Sequence, residues 1–104
     1  MTDSEKAFNA LGDPMRRAIL EKLRNNPLAV ADIADGLPVT RPAVSQHLKV
    51  LKDAKLIRVH RKGTRSVCEI DPEGIIAMRF YLDSMWDSAL TAFKQFAENQ
   101  QENE

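Results

Sequence analysis

Apolar positions fall into helical spacing almost from the first residue. Ala7, Phe8 and Leu11 at i, i+1 and i+4 predict a short amphipathic helix over residues 4–11, ended by Gly12. Asp13-Pro14 restarts the pattern, with Asp13 as N-cap and Pro14 preset at the first helical position. Met15, Ile19, Leu20 and Leu23 form the stripe of this second helix, and Asn25-Asn26-Pro27 stops it. A third, short helix over residues 30–35 buries Val30, Ile33 and Ala34 and has Gly36 just past its end. Beyond the tight connection Leu37-Pro38-Val39, Thr40 caps a fourth helix that runs to about Asp53, with Pro42 tolerated in its first turn.

The period then changes from 3.6 to 2. Ile57, Val59 and Arg61 alternate with Arg58 and His60, and residues 66–70 are rich in β-formers. Lys62-Gly63-Thr64-Arg65 between them reads as a hairpin loop of about four residues. Asp71-Pro72 repeats the cap-then-proline device and opens a last helix running to about Asn99, with residues 100–104 as a frayed tail. The order α-α-α-α-β-β-α predicts a mainly α (α+β) chain in one domain over residues 1–99: a helix-turn-helix at residues 30–53, a wing at residues 56–70 and a long C-terminal helix.

Composition adds bounds to this outline. At 104 residues, 43% apolar and 29% charged, the chain has ordinary globular values for a single domain. No apolar run reaches the ~20 residues of a membrane span. Met1-Thr2-Asp3-Ser4-Glu5 is acidic and polar, so no signal peptide is expected, and a lone cysteine, Cys68, fits a reducing, cytoplasmic setting. The formal net charge of zero conceals an asymmetry. Residues 41–65 hold eight basic side chains against a single acid, Asp53, a net of +7, and the rest of the chain carries −7. Such a block is the footprint of a polyanion site or, more simply, a solvated basic face.

The fourth helix distinguishes these readings. Residues 100° apart put Val44, Leu48 and Leu51 on one face with His47 at its margin, and Pro42, Ser45, Gln46 and Lys49 opposite, flanked by Arg41 and Lys52. A solvated face favours strong helix formers, and Ser45 is not one. Its small hydroxyl permits close approach of the backbone to a phosphate or base edge, Gln46 can pair bidentately with adenine, and Lys49 can reach guanine or phosphate. Arg61, Lys62 and Arg65 give the hairpin a basic tip, suited to phosphates or a minor groove, or else to blunting edge pairing. The candidate DNA contacts are therefore Thr40, Arg41, Pro42, Ser45, Gln46 and Lys49 on the helix and Arg61, Lys62 and Arg65 on the wing.

Three stretches resemble the ArsR family of bacterial winged-helix repressors over nearly the full chain: Ala10-Leu11-Gly12-Asp13-Pro14-Met15-Arg16-Arg17-Ala18-Ile19-Leu20, Arg41-Pro42-Ala43-Val44-Ser45-Gln46-His47-Leu48-Lys49-Val50-Leu51, and Arg61-Lys62-Gly63-Thr64-Arg65. The resemblance implies a homodimer that binds an operator and represses transcription, with residues 1–12 and 72–99 as dimerisation helices. One departure is local. The family usually has Gly between the fourth helix and the first strand, where this chain has Lys55, and left-handed geometry there costs a non-glycine residue about 1–2 kcal/mol.

Metal sensing, common among such relatives, does not fit. The family's third-helix site uses a Cys-x-Cys pair, where alignment on Asp32-Ile33 puts Ala29 and Ala31, and the alternative site on the last helix needs histidines that residues 72–104 lack. No metal and no cofactor is expected. Cys68 alternates with Ile70 and is expected to pack inward rather than act as a redox switch. Arg16 and Arg17 are expected to divide between phosphate contact and ion pairing.

The last helix carries the oligomer argument. Ile75, Met78, Leu82, Met85, Trp86, Ala89, Leu90, Phe93, Phe96 and Ala97 form a stripe wider than one contact face. A helix over residues 72–99 spans ~42 Å, while a 100-residue domain has a radius of gyration of only ~13 Å, so a second copy is the economical cover. The expected interface comprises Phe8, Leu11, Leu82, Met85, Trp86, Ala89, Leu90 and Phe93. The stripe can alternatively enclose a small apolar ligand, and any effector is expected to be an organic molecule or partner protein rather than an ion. No nucleophile, paired carboxylates or Gly-rich phosphate loop points to an enzyme. The function expected is thus a sequence-specific, dimeric DNA-binding repressor acting on a near-palindromic double-stranded operator; the competing class is a winged-helix protein–protein module whose basic face docks an acidic partner.

Overall fold

Thr2 caps the first helix by a reciprocal pair of bonds. The Glu5 N–H donates to Thr2 Oγ1 at 3.2 Å and the Thr2 N–H donates to Glu5 Oε2 at 3.0 Å. The computed structural model describes residues 1–102. In it α1 (Asp3–Leu11), α2 (Pro14–Leu23), α3 (Val30–Asp35) and α4 (Arg41–Asp53) precede a hairpin, and α5 (Pro72–Glu102) closes the chain. The cap-and-proline devices act as expected: Asp13 Oδ1 accepts from the Met15 N–H at 2.7 Å, and Thr40 Oγ1 from the Ala43 N–H at 3.3 Å.

The sheet has three strands rather than the two of a simple hairpin. β1 (Leu28–Ala29) pairs antiparallel with β3 (Arg65–Ile70), which pairs on its other side with β2 (Ile57–Lys62). The strands of the wing also run further than expected. Lys62 pairs with Arg65, so the loop is a two-residue turn, Gly63-Thr64, with Gly63 at φ 65°. Positive φ at the first turn position and not the second is the type II′ pattern, and glycine takes it without a Cβ penalty. α5 extends past Asn99 to Glu102, so residues 100–102 are helical rather than frayed, and the remainder of the expected tail lies outside the described residues.

Ile19, Ile33, Val44, Leu51, Leu56, Ile57 and Cys68 are fully buried, one core shared by the first four helices and the sheet. Burial pushes the Cys68 thiol up from its ordinary value, in keeping with an inward-facing small hydrophobe. Arg16 and Arg17 fasten α1 to α2 by donating to carbonyls of the last turn of α1: Arg16 Nε to Ala10 O at 2.6 Å, Arg16 Nη2 to Asn9 O at 3.1 Å and Arg17 Nη1 to Leu11 O at 2.7 Å. Of the ion pairing expected of them, Arg16 makes a long pair with Asp13 at 3.8 Å, and the bonds to α1 are a further use that the sequence did not announce.

Lys55 does adopt left-handed geometry, with φ 59°. Its Nζ lies 3.2 Å from Asp3 Oδ2 on α1 and 3.4 Å from Glu73 Oε1 on α5. Hydrogen bonds to Asp3 and then Glu73 raise the affinity of this ammonium for its proton above the ordinary value. The start of α5 sits directly on this junction: the Gly74 N–H donates to Lys55 O at 2.8 Å, and a Cβ on Gly74 would lie 2.5 Å from Ala54 O. Beyond the junction α5 packs on α1, where the Phe8 and Tyr81 rings meet edge to face at 5.5 Å. The rest of α5 projects from the domain.

Candidate nucleic-acid interface

The face assignment of α4 follows from its burial. Val44, Leu48 and Leu51 insert into the core, which leaves Thr40, Arg41, Pro42, Ser45, Gln46, Lys49 and Lys52 exposed, with His47 half-buried at the margin. α3 packs behind α4, and residues 36–40 connect the pair. α2 packs against α4 as well, and Asp13 caps its start. Burial alone would raise its carboxyl, but the N–H groups of Arg16 and Met15, with the charges of His47 and Arg16, outweigh this and hold it below the ordinary range.

The wing stands beside α4. Val59, Cys68 and Ile57 turn inward, and the same alternation puts Ser66 on the side facing the helices. One hollow is lined by Arg41 and Ser45 from α4 and by Thr64, Arg65 and Ser66 from the wing; a second, adjoining one is lined by Ser45, Lys49 and Lys52 with Val59 and Ser66. Ser45 and Ser66, with Val30, line both hollows, and Arg41, Arg65, Lys49 and Lys52 contribute the cationic side chains around them. Arg41, Ser45, Lys49 and Arg65 of the expected set are brought together there. Thr40, Pro42 and Gln46 are exposed on α4 outside these hollows, and Arg61 and Lys62 are exposed near the wing tip.

At that tip Lys62 and Arg65 stand directly opposite each other. Like charges in register are unfavourable unless an anion lies nearby. Part of the relief is internal: Arg65 Nη2 donates to Asp32 Oδ2 on α3 at 3.1 Å, a half-exposed pair. On the outer face of the wing Glu69 similarly lies 3.8 Å from Arg58 and 3.9 Å from His60. Asp32, Thr64 and Ser66 were not among the expected site residues. Strand alternation was signal enough for Ser66, whereas Asp32 is 33 residues from its partner and left no local mark.

Ala29 lies buried in β1 and Ala31 is half-buried in α3, and neither offers a donor atom. Among the described residues no three His, Cys, Asp or Glu side chains converge, and no helix is long and apolar enough to cross a membrane.

A family model described as a helix-turn-helix domain matches residues 11–60. Over 96 residues the chain is 50% identical to the HTH-type transcriptional regulator Rv2034 of Mycobacterium tuberculosis, an alignment spanning 92% of this chain and 90% of that protein. Its fold is similar to the crystal structure of an ArsR family transcriptional regulator at a TM-score of 0.75 and 30% identity, covering 82% of this chain and 88% of the other. It is also similar, at a TM-score of 0.66 and 26% identity over 82% of this chain and 79% of the other, to the homodimeric winged helix-turn-helix DNA-binding domain of Mb0332 from Mycobacterium bovis.

Proposed function

This chain belongs to the ArsR family of winged helix-turn-helix transcriptional regulators, and from that membership we propose that it is a homodimeric repressor that recognises a near-palindromic operator. It acts in the cytoplasm and performs no catalysis. Gln46 and Ser45 read base edges in the major groove, while Lys49, Arg41 and the wing cations Arg61, Lys62 and Arg65 hold phosphates. Two copies pair through α1 and α5 and set the reading helices about one helical turn of duplex apart.

One juxtaposition carries this reading: an exposed polar face on α4 beside a wing tip that sets Lys62 against Arg65. Two like charges held in register gain most from a polyanion, and the polar face supplies the hydrogen bonds that a base edge requires. The dimer is supported by the far part of α5, where Leu82, Met85, Trp86, Ala89, Leu90 and Phe93 are exposed, and Trp86 is 64% and Phe93 70% exposed. Phe8 and Leu11 are half-buried and border this seam from α1. The effector, where there is one, is an organic molecule or a partner protein, since Ala29 and Ala31 replace the thiolates a metal needs.

Selection of bound sequences from random duplexes, read with the mass of the complex, tests the proposal. A two-fold related motif bound by two chains is the expected result. Equal binding of selected and scrambled duplexes would overturn it. Within that assay Gln46→Ala costs about 1–3 kcal/mol on the selected site and relaxes base preference, whereas Lys62→Ala weakens all duplexes alike and flattens the salt dependence.

A further inference from the structure

Just past the carboxyl end of α4, one side chain reaches both α1 and α5. Lys55 holds a left-handed backbone (φ 59°) that glycine adopts freely and a residue with a Cβ does not. Such strain persists only where the surroundings over-determine it. Here the ammonium lies between carboxylates from both association helices, Asp3 Oδ2 at 3.2 Å and Glu73 Oε1 at 3.4 Å. The same residue's carbonyl receives the Gly74 N–H at 2.8 Å, and the absence of a side chain on Gly74 is what lets α5 come this close. The next residue repeats the tie, with the Asp71 N–H donating to Leu56 O at 2.9 Å. α5 makes no extensive packing of its own with α4, so the orientation of one relative to the other is carried by this junction together with α1, which packs against both helices and is itself held here through Asp3.

We propose that Lys55 is a positioning residue which, through its ammonium between Asp3 and Glu73, fixes the angle between the association helices and the reading helix and so sets the half-site spacing the dimer accepts. The inference rests on the dimeric repressor reading. One base pair more or fewer between half-sites displaces a reading helix by about 3.4 Å and turns it by about 34° about the duplex axis, so a rigid junction penalises the change and a loosened one tolerates it.

The test compares the wild type with Lys55→Met, which keeps the stem and loses the charge, with Lys55→Arg, which keeps the charge, and with the double variant Asp3→Asn/Glu73→Gln. Affinity is measured on the selected operator, on the same half-sites one base pair closer or farther apart, and on an isolated half-site, with dimer mass taken by sedimentation. Lys55→Met is expected to keep the dimer and the half-site affinity, to lose about threefold to tenfold on the operator, and to narrow the spacing penalty by a similar factor. The double variant reproduces this, and Lys55→Arg restores the wild-type profile. An unchanged spacing penalty in Lys55→Met and the double variant overturns the proposal, as does an equal loss on every duplex including the half-site. Should Lys55→Met fail to fold, the double variant decides alone. A wild type without operator preference overturns the repressor reading itself, while a wild type with preference and an unaltered Lys55→Met profile removes only the role of Lys55.

Discussion

Arg65 comes to the wing tip already partnered, and that contact makes Asp32 a competitor of any phosphate. The pair is half-exposed at 3.1 Å, so it is worth at most about 1 kcal/mol. Asp32→Asn is therefore expected to raise affinity for cognate and scrambled duplexes alike, by about twofold to fivefold, and to steepen the salt dependence by about one phosphate contact. Anisotropy titrations at several salt concentrations check this, and a gain confined to the cognate site would contradict it. Cys68 behaves in the opposite way, as a group withdrawn from chemistry. Its thiol is fully buried and its pKa is raised by that burial. The native chain is expected to resist alkylation at neutral pH and to react only once denatured. Because the folded thiol keeps its proton at a pH where the unfolded one releases it, this residue's contribution to stability is fully present below the ordinary thiol value and is lost as pH rises above it through the raised value of the folded state. Alkaline denaturation of the wild type and Cys68→Ala, compared by slope, measures the effect.

At the scale of elements, α4 combines a cap, a proline and a leucine stripe, and each has a separable effect. Thr40→Ala removes the only side-chain cap on α4 and is expected to cost about 1 kcal/mol, whereas Leu51→Ala opens the core and costs about 2–5 kcal/mol, both read from urea midpoints. These elements were legible because their signals are local: Asp13-Pro14, Thr40 with Pro42, and Asp71-Pro72 each announce a helix within three residues. What was not legible depends on distant pairing. β1 is two residues long, too short for any alternation, and exists because Leu28 and Ala29 meet Cys68 and Val67 across the chain. The turn at Gly63-Thr64 is set by the Lys62–Arg65 register, and Arg16 and Arg17 are committed by the open end of α1 rather than by their own neighbours. The strained position at Lys55 was visible as a missing glycine, but the two carboxylates that occupy its side chain come from α1 and the start of α5, 52 and 18 residues away.

The whole molecule measures 71 × 27 × 25 Å with a Cα radius of gyration of 19.3 Å, against about 13 Å for a compact chain of this length. The excess is α5, whose far part carries an apolar arc with no cover in its own domain. If a second copy provides the cover, the melting temperature rises with protein concentration, and Leu82→Asp or Met85→Asp yields a monomer whose operator affinity collapses while its α1–α4 core stays folded. Sedimentation and thermal scans over a hundredfold concentration range report both. Added zinc or cadmium is expected to leave mass and operator affinity unchanged, since the thiolate positions hold Ala29 and Ala31. Trp86, exposed in the lone chain, is also the single tryptophan of the sequence. Its indole emission therefore comes from the very stripe in question. Dilution should move the spectrum to longer wavelengths as the ring meets water, which gives a label-free titration of self-association in the unmodified protein.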